Sequence, residues 1–444
     1  MNKTKATREQ LNKIIELRQE IHQNCLTKYG DAQFDLMDSV LSNQRVNSYA
    51  ELTLSPQFKR QWHSGYQGIK AGRQDKQAMA NLLHKQLPST GIRVYALDTT
   101  IWPHPRAKTL NGLVYEYNAT LSKGQTVISK AHVYSGLCWI PERKGSWALP
   151  LSMRRLPVKR TAVAMGVAQV KQFLRQRGAV SDEVVDVIAS DGHYGTHLYL
   201  AAFKGAKQLG AITRLRRDRV LSGPPPPYSG RGRPPVHGDR FAFAEPETWW
   251  EPDEQVVFED AGHGQVKLQA WHNLHAKQDA GTSFTVIRAQ IHQERTAKKR
   301  PKAIWLAYIG PALAIRTAWE CFDHRWAIEP QFRFRKQQLH WTLPMFQLAQ
   351  RCDRWSQLID LAYWQLYLAR DIVADQPRPW QPSLDSLTPG RVLQGFGQLF
   401  SQLKSPTPLP KRRGKSPGWA KGTQRTKRPK RKPVKRNHKR RQTA

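Results

Sequence analysis

The chain has 444 residues, and its 71 lysines and arginines outnumber its 34 aspartates and glutamates, giving a formal net charge of +37. At about 150 residues per domain, this length predicts two or three domains and excludes a peptide or a disulfide mini-protein. The excess of positive charge makes a polyanion the first partner to expect.

Cysteine usage and hydropathy narrow the class of protein further. The four cysteines are far apart in sequence and form no C-x2-C pair. This favours reduced thiols in a cytosolic-type compartment and argues against a zinc ribbon or a secreted disulfide framework. The basic start of the chain contains no apolar segment, and no run of 18 apolar residues occurs anywhere. We therefore expect neither secretion nor a membrane span.

Residues 1–90 have the pattern of a small helical domain. Apolar residues recur at helical spacing after Thr7 and again from Phe34, and a third helical stretch, 77–87, ends at Pro88.

The pattern changes at Gly91, where short apolar runs typical of buried strands begin. The run 92–97 leads directly to Asp98, and a second run, 184–189, leads to Asp191. The other predicted elements are β-rich stretches at 113–121 and 125–134 with a turn at 122–124, helices at 161–177 and 196–209, and a strand at 211–215. This order predicts a mixed α/β sheet over residues 91–215, in which the two acids converge if their strands are neighbours.

The remaining residues divide into four parts. Residues 216–302 are irregular, with strand-like pieces at 255–258, 265–271 and 283–288, which predicts a β-rich insertion. Residues 303–376 resume the core with a strand at 303–309 and helices at 312–339 and 345–373. Residues 377–410 are interpreted as a linker. Residues 411–444 form a basic low-complexity tail without acids, which we expect to be disordered alone.

The most informative segment is 321–336. Arg325, Glu329 and Lys336 are spaced so that all three return to one helical face. Spacing alone is more typical of an ordinary solvated, salt-bridged face. Taken singly, Asp98 and Asp191 could likewise be turn or capping acids, and Asp182 and Asp186 compete with Asp191 for its role. The strand-end position favours Asp191.

Together these residues resemble bacterial insertion-sequence transposases of the DDE type, which have an RNase H-like catalytic fold. One branch carries the signature Y-x2-R-x3-E-x6-K, and Arg325, Glu329 and Lys336 match its R, E and K, while Phe322 stands at the tyrosine position. Asp98 and Asp191 resemble the first two catalytic aspartates. A β insertion before the glutamate is also a feature of this branch.

The resemblance implies a specific chemistry. Asp98, Asp191 and Glu329 would be the catalytic, metal-holding acids of a site for two Mg²⁺ ions, replaceable by Mn²⁺, with Asp98 shared by both ions. Arg325 and Lys336 would bind DNA phosphates. Such an enzyme cuts the ends of an insertion sequence and joins them to target DNA.

The resemblance also implies partners and a location. The partner is double-stranded DNA, both the terminal inverted repeats and the target, and a homodimer is expected on DNA. The helical domain 1–90 would bind DNA, and the protein would act in the bacterial cytoplasm at the nucleoid. Two alternatives stay open: a catalytically inactive or domesticated DNA-binding relative, and an RNase H-like nuclease that acts on RNA or hybrids.

Two weaker features lie in the insertion. Residues 231–234 have the sequence Arg-Gly-Arg-Pro, similar to the core of an AT-hook, although a plain basic loop is the commoner structure. Trp249, Trp250 and Trp271 could stack on an unpaired base, but buried packing is the commoner role of tryptophan.

Overall fold

The computed structural model describes residues 2–117, 128–292 and 302–411, together with 418, 422 and 429–433. The predicted turn at 122–124 and most of the basic tail lie outside the described residues. Within the tail, the backbone N–H of Arg431 donates to the carbonyl oxygen of Lys108 at 2.9 Å.

The described chain alternates between helical and sheet segments. The helices are α1 (Asn2–Glu20), α2 (Gly30–Ser42), α3 (Trp62–Ala71), α4 (Lys76–His84), α5 (Ala162–Arg177), α6 (His197–Leu200), α7 (Ile315–Asp323), α8 (Ile328–Gln337), α9 (Ala349–Ala369), α10 (Pro389–Phe396) and α11 (Phe400–Leu403). The strands are β1 (Gly91–Pro103), β2 (Val114–Tyr117), β3 (Ile128–Ile140), β4 (Leu149–Arg155), β5 (Val184–Ser190), β6 (Leu209–Leu215), β7 (Val220–Ser222), β8 (Arg240–Ala242), β9 (Glu254–Asp260), β10 (Gly264–Ala276), β11 (Asp279–His292) and β12 (Lys302–Ile309).

The centre of the fold is a five-strand sheet in the order β4-β3-β1-β5-β6. Strands β1, β3 and β4 pair antiparallel, whereas β5 lies parallel to β1 and β6 parallel to β5. Three antiparallel strands followed by two parallel ones, with α5 between β4 and β5, form an RNase H-like fold. The predicted mixed α/β class is therefore confirmed.

Strand β4 was missing from the prediction. It contains Pro150 and ends with Arg154 and Arg155, so it lacks the apolar run or alternation that marks a strand in sequence. The described part of the predicted stretch at 113–121 gives the four-residue β2, which pairs with the beginning of β3, and residues 118–121 lie outside the described residues.

The insertion extends the same sheet. Strand β12 pairs antiparallel with β6, and the order continues through β11 and β10 to β7 and β8, with β9 also paired to β10. The strand-like pieces of the insertion lie within β9, β10 and β11. Its aromatic side chains pack together: Trp271 is buried and Trp249 and Trp250 are half-buried in one cluster.

The N-terminal helices share a hydrophobic core with the long helix α9. Arg18 of α1 donates to Asp38 of α2 at 2.7 and 2.8 Å and to Gln365 of α9 at 2.6 Å, and all three side chains are buried. Within the segment interpreted as a linker, α10 buries Val392 and Phe396 in that same core. This part of the segment, α10 at Pro389–Phe396, is thus packed against the body.

Two predicted helices are shorter than expected. The helix predicted at 196–209 is α6 followed by one 3-10 turn, Ala201–Phe203, because Gly205 adopts a positive φ of 68° that no helix continues through. The helix predicted at 312–339 is interrupted by the 3-10 turn His324–Ala327 between α7 and α8. Pro330 has no N–H to donate, so it fits only the first turn of a helix that starts again at Ile328. None of the helices in the described ranges is long and apolar enough to cross a membrane.

Candidate active site

Asp98 and Asp191 lie side by side because their strands are parallel neighbours. The last parallel pair of β1 and β5 joins Leu97 to Ser190, and the two acids follow immediately. The prediction that the strand ends at Asp98 is wrong. β1 continues to Pro103 because β3 pairs with it over that whole length. Asp98 therefore projects from the middle of a rigid strand rather than from a loop.

Helix α8 brings Glu329 over this point of the sheet. Asp98 pairs with Gly136 of β3, and a Cβ atom at Gly136 would lie 2.7 Å from Met153 and 3.2 Å from the ring of Phe332. Glycine therefore allows Phe332 of α8 to pack directly on β3. This close approach holds the first turn of α8, which carries Glu329, beside β1.

Arg325 links two of the three acids. Its Nη1 lies 3.5 Å from Oδ2 of Asp98 and its Nη2 lies 3.6 Å from Oε1 of Glu329. The predicted (i, i+4) neighbourhood of Arg325 and Glu329 is present, although Arg325 stands in the 3-10 turn before α8. This turn directs the guanidinium group toward the sheet.

Asp191 is held by its own loop. Its Oδ1 accepts a hydrogen bond from the backbone N–H of His193 at 3.0 Å, and the imidazole Nδ1 of His193 lies 3.7 Å from Oδ2. The hydroxyl of Thr213 on β6 donates to the carbonyl oxygen of Asp191 at 2.9 Å. These contacts fix the end of β5 and orient the carboxylate.

The three acids interact electrostatically. Burial and the negative charge of Asp191 raise the pKa of Asp98 to about 6, with a smaller contribution from Glu329, against the opposing effects of the Thr99 N–H and Arg325. Burial also raises the pKa of Asp191, but the hydrogen bonds from His193 outweigh it and hold that pKa below its usual range. The ionised carboxylates of Asp191 and Glu329 therefore repel a negative charge on Asp98.

The acids are open to solvent on one side. The exposed side-chain fractions are 19% for Asp98, 33% for Asp191 and 43% for Glu329. Mg²⁺ prefers a few carboxylate oxygens together with water and substrate phosphate. A half-open set of three carboxylates whose mutual repulsion a cation would relieve fits a hard divalent ion.

Lys336 is not brought into contact with the acids. It lies two turns after Glu329 on α8, half-buried, and it has no ion pair among the described residues. Burial lowers the pKa of its ammonium group to about 8. Phe322, at the tyrosine position of the signature, lies beside Arg325, whose guanidinium carbon is 5.9 Å from the ring centroid.

The competing acid Asp186 has a different role. It is fully buried on β5 and accepts hydrogen bonds from Arg93 at 2.6 and 2.8 Å, Arg177 at 2.9 Å and the Tyr95 hydroxyl at 2.9 Å. With its oxygens paired in this way, Asp186 is a structural ion-pair centre. Asp182, the other competitor, accepts from Gln208 at 3.0 Å on the surface.

Sequence reasoning missed two side chains at the site. His193 pairs with Asp191, and the motif Asp-Gly-His could have indicated it. Trp326, next to Arg325, exposes 65% of its surface, which is unusual for a tryptophan. As an exposed aromatic side chain that directly follows Arg325 in the turn His324–Ala327, it is a candidate contact for DNA.

Comparison with protein families agrees with this geometry. No curated protein matches the chain in a sequence search. The family model described as DDE superfamily endonuclease matches residues 22–278, which is more than half of the chain. The match includes the strands that carry Asp98 and Asp191 and ends before Glu329. A fold of the RNase H type and a family match of this extent lead to one conclusion: the chain belongs to the DDE superfamily endonucleases.

Proposed function

We propose that the protein is a DNA transposase that cuts the terminal inverted repeats of an insertion sequence and joins the freed ends to target DNA. Members of the DDE superfamily are nucleases that act on DNA with divalent metal ions. The observation that supports the proposal best is the convergence of Asp98, Asp191 and Glu329, from three separate elements, around Arg325.

The three acids are the proposed metal-holding residues, and Mg²⁺ is the proposed ion, with Mn²⁺ able to replace it. When bound, a pair of such ions stabilises the charge that develops on the attacking and leaving oxygens of a phosphodiester. The charges of both Asp191 and Glu329 act on Asp98, so Asp98 is the acid proposed to be shared by the two ions. Its raised pKa means that it must lose a proton before it can serve as a ligand below about pH 6.

Arg325 and Lys336 are the proposed phosphate contacts. Arg325 is paired with Asp98 and Glu329 and is held at the acid cluster, where a scissile phosphate would lie. Lys336 has no carboxylate partner among the described residues, so its charge is available to DNA. A phosphate anion near Lys336 would raise its depressed pKa and keep it charged at neutral pH.

The charge of the whole chain supports DNA as the partner. The tail 411–444 contains 16 lysines and arginines and no acid, which leaves the rest of the chain with +21 of the total of +37. The positive charge that remains on residues 1–410 supports a DNA-binding surface there, and the tail adds sequence-independent affinity for DNA. We propose that two protomers hold two DNA ends and that residues 1–90 take part in binding.

The test is strand cleavage and joining by the purified full chain. DNA carrying the inverted repeats that flank the coding region is incubated with Mg²⁺ or Mn²⁺. Asp98→Asn should abolish cutting and joining while it preserves DNA binding, and Asp182→Asn, a surface acid outside the site, should leave both intact. Full activity of Asp98→Asn would refute the assignment.

The same assay separates the proposal from its alternatives. If the unaltered protein binds these ends and cuts no strand with either ion, it is a DNA-binding relative, consistent with phenylalanine at position 322. If it cleaves RNA or hybrids and spares DNA duplexes, it is an RNase H-like nuclease.

A further inference from the structure

A second group of ligand-type side chains lies at the C-terminal end of β1, beyond Asp98. His104 directly follows β1, His132 lies on β3 and Cys352 lies on α9. The exposed fractions are 7% for His104 and 0% for His132 and Cys352. One ligand atom from each residue can be chosen so that all three lie within 4.8 Å of one another.

The two imidazoles each have an unsatisfied nitrogen in this buried space. Nε2 of His104 and Nδ1 of His132 are buried, and neither has a hydrogen-bond partner among the residues that the structure describes. A buried polar atom without a partner costs about 1–3 kcal/mol, so native structures rarely contain two side by side. A bound cation that accepts a lone pair from each nitrogen would remove this free-energy cost.

The tautomer of His132 is fixed by its backbone contact. Its Nε2 lies 2.9 Å from the carbonyl oxygen of Asn111, which can only accept, so Nε2 carries the proton. Nδ1 therefore keeps its lone pair free. A histidine that donates its other ring N–H to a backbone carbonyl is the usual arrangement of a metal ligand.

His104 is held in place by aromatic packing. Its ring stacks on Trp102 at 5.2 Å between centroids with an angle of 25°, and it meets the ring of His132 edge-on at 5.0 Å. His132 of β3 is paired with Trp102 of β1, and His104 follows Trp102 by two residues, with its backbone N–H donating to the carbonyl oxygen of Lys130, so the two imidazoles come from neighbouring positions at one end of the β1–β3 pair.

From this geometry we propose a structural zinc site formed by His104, His132 and Cys352. Two imidazole nitrogens and one thiolate are a ligand set that Zn²⁺ favours, and zinc bond lengths of about 2.0–2.3 Å require each ligand atom to move inward by roughly half an ångström. The thiol of Cys352 releases its proton to solvent when it binds the ion. Three protein ligands leave the fourth position of a tetrahedral ion to a water molecule that would be enclosed with it.

The site would connect the sheet to the helical layer. It joins β1 and β3 to α9, the helix against which α1 and α2 pack. Asp98 lies six residues before His104 in an extended segment, roughly 20 Å away, so this ion is separate from those of the catalytic acids. Its role is to stabilise the fold.

Metal analysis of the full chain tests the proposal. The protein is purified without chelator and dialysed against metal-free buffer, and its zinc is measured by mass spectrometry. About one zinc ion per chain is expected. Cys352→Ser and His132→Gln should each reduce zinc at least about tenfold and lower the melting temperature. Cys138→Ser, at another buried cysteine, should leave the zinc content unchanged.

A second measurement does not depend on the stability of the variants. Stripped wild-type protein titrated with Co²⁺ should develop a thiolate-to-cobalt absorption band that saturates at about one ion per chain and disappears when Zn²⁺ is added. Asp98→Asn should show the same band and the same zinc content. Wild-type protein that contains copper or no metal, or zinc lost in Asp98→Asn and retained in Cys352→Ser, would overturn the proposal.

Discussion

Replacing Asp98 with asparagine should stabilise the metal-free protein at neutral to alkaline pH. The pKa of Asp98 is raised to about 6 from the 3.8 of a solvated aspartate. One pKa unit corresponds to about 1.4 kcal/mol, so ionised Asp98 costs the fold at most about 3 kcal/mol at pH 8. Because the side chain is partly exposed, we expect a gain of about 1–3 kcal/mol. Asparagine keeps an oxygen for the Thr99 N–H, which donates to Asp98 Oδ1 at 2.7 Å.

The pH dependence of this gain follows from the direction of the pKa shift. Between pH 3.8 and 6 the unfolded chain ionises Asp98 while the native state keeps the proton, so the stability contributed by the group falls as pH rises through this window. The advantage of asparagine should be largest at pH 8 and about half as large at pH 5. Thermal unfolding without added Mg²⁺ at both pH values measures it.

Two comparisons make the test strict. Added Mg²⁺ should raise the melting temperature of the wild-type protein and close the gap to Asp98→Asn, because the ion relieves the repulsion that the substitution removes. Asp186→Asn should have the opposite sign and destabilise by about 3–5 kcal/mol, since it leaves buried Arg93 and Arg177 underpaired. A loss of stability in Asp98→Asn at pH 8, or a gain that does not change with pH, would refute the reasoning.

Three further outcomes are expected. Lys336→Met should weaken DNA binding and reduce the slope of log affinity against log salt by about 1, as for one lost phosphate contact, and an unchanged slope in salt titrations would exclude that contact. Trp326→Ala should weaken binding to DNA with unpaired terminal bases by about 1–3 kcal/mol and leave the melting temperature unchanged; equal affinities in binding titrations would exclude stacking. Deletion of residues 411–444 should weaken DNA binding and flatten its salt dependence. Loss of cleavage at saturating DNA would show that the tail does more than add affinity.

The elements that were predicted correctly are those whose own side chains determine them. The first half of β1 and most of β5 are short, largely apolar and largely buried runs, and α5 has a threonine N-cap and a glycine after its last turn. β4 was not predicted because it is defined by its pairing with β3 and not by its sequence. The break before α8 could have been inferred from Pro330 alone.

The proposed catalytic acids and the histidine-cysteine group differ in how far the sequence alone could predict them. Arg325 and Glu329 are four positions apart, so their spacing is local and readable. The proximity of Asp98 to Asp191 depends on parallel pairing, and the sequence could predict it only on condition that the strands are neighbours. His104 follows β1, His132 lies on β3 and Cys352 lies on α9, and the three residues are separated by up to 248 positions. A contact between residues so far apart in the chain produces no spacing pattern from which the sequence could predict it.

The two proposed metal sites use one strand for opposite kinds of chemistry. Near its middle, β1 presents Asp98 to a half-open cluster of oxygen ligands, where water and phosphate can enter and hard ions exchange. At its end, β1 leads to buried nitrogen and sulfur ligands closed to solvent, which hold a borderline ion tightly. Mg²⁺ prefers oxygen ligands and bound water, so it has no preference for a buried site with nitrogen and sulfur ligands. A zinc ion held there would leave the acids free to exchange ions during the proposed reaction.

The antiparallel pairing of β1 with β3, continuous from Asp98 to Trp102, mechanically connects the two sites. Loss of the zinc ligands should therefore loosen the strand that positions Asp98, so the metal content of a preparation should be known before its cleavage rate is interpreted.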